Sequence, residues 1–161
     1  MLKSMRWFAV LMLSMLLLAC QKDPIVDDLK AFDALGKEAF GDMQQIQTDM
    51  NAKMQAAPTM EGKAAVFHEV IGKFEARVAK LKTFEAKSPE VKAQTDKIIG
   101  GFDDMMAGLK TLEGAMKNPA QGQDALNTGM KQVMEGQQKA MGAVGELSKL
   151  AKEKGVEWKT Q

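Results

Sequence analysis

Ser88-Pro89-Glu90-Val91-Lys92-Ala93-Gln94-Thr95-Asp96-Lys97-Ile98-Ile99-Gly100-Gly101-Phe102 opens the run whose periodicity decides the fold. A hydroxyl residue, a proline and a carboxylate in that order form a helix start. The hydroxyl can cap, proline tolerates the first helical position, and the acid faces the positive end of the helix dipole. From Val91 the positions Thr95, Ile98, Phe102, Met105, Leu109, Leu112 and Met116 follow in unbroken steps of four and three. That is the stripe of a helix with one buried face.

The same signals recur on both sides. Upstream, Thr59 caps a stripe of Met60, Ala64, Phe67, Ile71, Phe74, Val78 and Leu81. Further back, Asp23-Pro24 starts a helix carrying Ile25, Leu29, Phe32, Gly36, Ala39, Met43, Ile46 and Met50, which ends before Pro58. Downstream, Asn118-Pro119 restarts the chain as a helix with Leu126, Met130, Val133, Gln137, Ala140, Val144, Leu147 and Ala151. Gly155 fits a left-handed C-terminal cap, with residues 156–161 as a tail. Four amphipathic helices with short links predict an all-α domain over 24–155, an antiparallel up-down-up-down four-helix bundle. A three-helix bundle with a kinked middle rod and a splayed helical hairpin are the alternatives. Fourteen glycines are unusual for such a chain, because each inside a helix costs about 0.8–1.0 kcal/mol relative to Ala. Gly101, Gly108 and Ala115 recur every seven residues, as do Gly122, Gly129, Gly136 and Ala143. They predict either a close-packed seam between the last two helices or a groove for an acyl chain or partner helix.

Before the bundle, Lys3 and Arg6 precede the apolar run Trp7 to Ala19, which closes on Leu17-Leu18-Ala19-Cys20. The run is well short of the ~20 residues that span a bilayer. It has the layout of a signal peptide. Bulky Leu17 stands where an ordinary signal peptidase prefers a small residue, and the four-residue motif resembles the lipobox of bacterial lipoprotein precursors. The resemblance implies a signal peptide over 1–19, cleavage between Ala19 and Cys20, and a diacylglycerol on the Cys20 thiol. The new amine is then open to acylation, and residues 20–23 form a short tether. Gln21, where Asp would favour inner-membrane retention, implies a periplasm-facing anchor in the outer membrane.

The chain has 22 basic and 21 acidic residues; losing Lys3 and Arg6 leaves 20 against 21, and Arg77 as the only arginine. No basic patch for nucleic acid exists in that balance. Cys20 is the only cysteine, so disulfides and thiolate chemistry are excluded together. Only Ser88 and Ser148 remain as serines after the signal, with no base paired to either. Asp27-Asp28 and Asp103-Asp104 are adjacent carboxylates on helices, which diverge by about 100° and read as solvated. An enzyme is therefore not expected.

Two binding chemistries remain in view. His68, the only histidine, has no second histidine four residues on and no Glu-x-x-His partner for a metal. Thioethers are soft ligands for copper(I), and Met50 with Met54, and Met130 with Met134, stand one turn apart; His68 completes that candidate set. Against it, methionine is a flexible core filler, and Met43, Met50, Met60, Met105, Met116 and Met130 fall on the stripes. Met54, Met106, Met134 and Met141 lie just off them and suit an adaptable binding face. The sequence thus predicts a non-enzymatic lipoprotein held at the membrane by its lipid, with no resident cofactor, that binds another envelope protein in a structural, inhibitory or immunity-type role. The alternative is a carrier for a small apolar ligand or copper.

Overall fold

The computed structural model describes residues 23–118 and 122–158. Ala19, Cys20, the signal segment, most of the tether and residues 159–161 lie outside the described residues. Five helical segments follow in order: α1 (Pro24–Phe40), α2 (Met43–Ala56), α3 (Met60–Leu81), α4 (Pro89–Lys117) and α5 (Gly122–Glu153). The described residues are all-α. No helix among them is long and apolar enough to cross a membrane.

The caps at the first two starts form as their residues dictate. Asp23 accepts the Ile25 N–H at 3.0 Å, and Thr59 accepts the Gly62 N–H at 3.0 Å. At the far end Gly155 has φ of 67°, its N–H reaches Lys152 O, and Val156 N–H reaches Ala151 O at 2.8 Å. This is a Schellman turn, in which a left-handed glycine lets the chain satisfy the last carbonyls. Val156 is buried and Trp158 packs on the core. The end of the chain is therefore part of the fold up to Trp158 and not a trailing tail.

The first helix differs from the continuous rod expected. It breaks at Gly41-Asp42, where a Cβ at Gly41 would stand 2.6 Å from Lys37 O and the Asp42 carboxylate accepts from Arg77 at 2.6 Å. Past the break, α2 packs on α3 alone among the substantial helix contacts and buries no residue fully. Met43 and Met50 are thereby corrected from core positions to exposed and half-buried ones.

Ion pairs give the direction of packing. Lys80 meets Glu38, Arg77 meets Asp42 and Lys53 meets Glu69, so α3 runs antiparallel to α1 and α2. Lys82 with Asp103 and Lys110 with Glu75 set α4 antiparallel to α3. Leu29, Leu81, Val91, Ile98 and Leu147 are fully buried where α1, α3, α4 and α5 converge. That end is fastened by polar groups as well. Lys154 pairs with Asp23 at 2.8 Å, joining the last helix to the first. Ser88, expected as a cap, makes no cap bond with its side chain; its hydroxyl donates to the buried Asp28 carboxylate instead.

Candidate functional site

The glycine stripes of α4 and α5 meet. A Cβ on Gly101 would lie 2.6 Å from Gly136 O, and one on Gly108 would lie 2.6 Å from Gly129 O. The reverse is equally tight, with Gly136 against Gly101 O at 2.5 Å and Gly129 against Gly108 O at 2.9 Å. Falling numbers on one helix match rising numbers on the other, so the pair is antiparallel. The seam is closed by backbone on backbone, which leaves no room there for an acyl chain or a partner helix.

The open space is elsewhere, between α1 and α5. A groove of about 750 Å³ lies there, with a mostly apolar lining, within the size range of ligand pockets. Its floor is aromatic: Phe40, Phe74 and Phe102 pack mutually, with ring centroids 5.2 to 5.8 Å apart. Phe74 and Phe102, expected as core, are half-buried because they form this floor, and Phe67 is half-buried as well. Gly36 and Gly145 line opposite walls, and a Cβ at either would meet nothing within 4 Å. Trp158, carried round by the Schellman turn, reaches the same groove. The polar rim includes Asp33 and Lys37, ion-paired at 2.5 Å.

Along the outside of α5, Met130, Met134 and Met141 are 57%, 55% and 64% exposed. Steps of four and seven put them within about 40° of one another on the helix. Met141 also lines the groove, so stripe and groove adjoin. Met130 is thus corrected from a core residue to a surface one, as is Met60. Conversely Met106 is buried although it sits off the stripe, because α4 packs on α3 as well as on α5.

The soft-ligand candidates divide between helices. Met50 and Met54 are on α2 against α3, while Met130 and Met134 face outward on α5. His68 has a side chain 71% exposed, with Nδ1 3.0 Å from Glu113 Oε1. It shares a second cleft, of about 570 Å³, with Met60 and Met116, but the Lys117 ammonium lies in the same cleft and opposes a cation. Lys117 also holds the Glu113 carboxyl below the usual carboxylate range; burial acts against this, and His68 assists it. Among the described residues no three His, Cys, Asp or Glu side chains gather as a metal site. Neither Asp28 nor the groove had a clear sequence signal: Asp28 reads as half of a solvated pair, and the groove depends on how far α1 stands from α5.

The model of a protein family described as Uncharacterised lipoprotein PM1805 matches residues 26–154. No curated protein and no solved structure matches the chain.

Proposed function

We propose that the chain, which belongs to the Uncharacterised lipoprotein PM1805 family, is a non-enzymatic binding protein of the cell envelope, lipidated at Cys20 and held at the periplasmic face of the outer membrane. In this reading it stands as an up-down-up-down bundle with the Asp23–Lys154 end towards the bilayer, and it binds another envelope protein. The observation that carries the reading is the exposed Met130, Met134 and Met141 stripe beside an apolar groove. Methionine surfaces adapt to a partner because the unbranched thioether side chain repacks readily.

The test is a photo-reactive residue placed at Met134 or Met141 of the full lipidated chain in cells, with Glu135 on another face as control. A discrete protein adduct from the two methionine positions, absent from the control, supports the reading. The same adducts from all three positions, or none from any, contradict it.

One observation favours a second reading, a carrier for a small apolar ligand: the groove has an aromatic floor and glycine walls with free space. Under that reading native material carries a ligand detectable by mass spectrometry. The copper version would draw its ligands from Met50 and Met54 on α2 or from Met130 and Met134 on α5, with His68 as a further candidate, and it predicts copper in the same material.

A further inference from the structure

Two classes of glycine divide the molecule. At the α4–α5 seam the missing side chains admit a neighbouring backbone. At Gly36 and Gly145, as at Gly72 and Gly142 outside the groove, they admit nothing that the fold supplies, although glycine in a helix weakens it relative to alanine. Gly36 and Gly145 open onto the groove, whose walls run from Phe32 to Phe40 on α1, with Met43 at the start of α2 beyond the break, and from Gln137 to Ser148 on α5. The α5 wall is about 16 Å long and the helical part of the α1 wall about 12 Å, at 1.5 Å per residue. A saturated chain with bonds of about 1.52 Å at about 111° advances about 1.25 Å per carbon, so about thirteen methylenes lie along the α5 wall. The groove matches one straight acyl chain.

The position of the groove says which chain. Asp23 is fixed to Lys154, close to the turn that brings Trp158 onto the groove. Cys20 is three residues before Asp23, at most about 11 Å away. Phe32, at the near end of the groove, is about 12 Å along the helix from Pro24. A chain borne on Cys20 therefore reaches the groove without crossing solvent for more than a few residues' length. Stable anchoring takes two lipid chains, and a fully processed lipoprotein cysteine carries three. We propose that one of the acyl chains on Cys20 folds back into the groove between α1 and α5, leaving the other two in the bilayer.

The proposal rests on lipidation at Cys20 and adds the destination of one chain. Tethering favours it, since a linked ligand competes at an effective concentration in the millimolar range. Such a seat would hold the Asp23–Lys154 end of the bundle close to the membrane surface and set the direction in which the methionine stripe faces.

Cells supplied with a diazirine-bearing palmitic acid analogue would load it onto the lipidated chain, and irradiation followed by digestion and mass spectrometry reads its neighbours. The expected product joins the lipopeptide that begins at Cys20 to a peptide of the same chain containing Phe40 or Val144. Gly36→Leu and Gly145→Leu place side chains at groove positions where an added Cβ meets nothing within 4 Å, so they should cut that product at least tenfold while melting no lower than wild type. A labelled lipopeptide with no groove crosslink overturns the proposal and leaves lipidation standing. A chain with no lipopeptide at all overturns the lipidation reading with it. Groove peptides joined to a phospholipid instead identify a foreign lipid as the occupant, and crosslinks between isotopically distinct copies identify a second molecule; either result overturns the proposal.

Discussion

The Asp28 carboxylate receives Ser88 twice on one oxygen: the Ser88 hydroxyl and the Ser88 N–H both donate to Oδ2 at 2.7 Å, and both residues are buried. The Lys87 N–H adds a third donor at 2.8 Å. The start of α1 is thereby stitched to the residues that launch α4, and the turn that opens α4 is set from outside itself. Asp28→Ala should cost about 1–3 kcal/mol, since it leaves buried donors without an acceptor. Asp28→Asn retains an acceptor oxygen and should cost less. Denaturant unfolding of both variants checks the order; equal stability of Asp28→Ala and wild type would refute the role given to this contact.

The two glycine classes predict opposite signs for one chemical change. Gly108→Ala puts a methyl 2.6 Å from Gly129 O and 2.8 Å from Val133 N, and overpacking of that kind costs about 1–3 kcal/mol. Gly145→Ala meets nothing and should gain about 0.8–1.0 kcal/mol from helix propensity. Melting curves should therefore move down for the first and up for the second. A shared direction would mean that the seam and the groove are wrongly distinguished.

Burial ranks the core differently from the apolar stripe. Leu147 is fully buried and Leu147→Ala should cost about 2–5 kcal/mol. Phe102 is half-buried on the groove floor, so Phe102→Ala should fall below the about 3–5 kcal/mol typical of an enclosed Phe. Equilibrium unfolding of the pair tests this; a larger loss at Phe102 would mean that the groove is closed in solution.

Acid should weaken the fold through paired carboxylates. Lys117 holds Glu113, Lys154 holds Asp23, and Lys53 with Lys73 holds Glu69 at about 2, each lower than its ordinary value. A carboxyl whose folded pKa is depressed binds fewer protons in the native state, so its contribution is complete above the unfolded pKa and is lost as pH falls through the folded one. For Glu113 that loss begins below about 4.5, its ordinary value. Glu113→Gln should be less stable than wild type at neutral pH and should lose less on acidification from pH 5 to 3. Parallel pH profiles for the two proteins would contradict the assignment.

Periodicity made the helices legible, and cap residues at Asp23, Thr59 and Gly155 made their ends legible. The glycine repeats pointed correctly to a close α4–α5 pair, since only a shared period brings Gly101 against Gly136 and Gly108 against Gly129. What escaped was tertiary in origin. The stripe through Met43 and Met50 continues past Gly41, but nothing in a one-dimensional pattern says that α2 will have a single neighbour. Met106 is buried off the stripe because α4 serves two neighbours, and periodic reading assumes one buried face. Asp28 looked solvated because its three donors lie some sixty residues away.

Everything proposed about placement and partners depends on the chain being held at a membrane through Cys20. The most direct test is mass spectrometry of the N-terminal peptide of the full chain isolated from cells. The account predicts a peptide that begins at Cys20 and carries a thioether-linked diacylglycerol, and a Cys20→Ala chain that loses both the cut and the lipid. A peptide that begins elsewhere, or an unmodified Cys20 thiol on the accumulated protein, would contradict it.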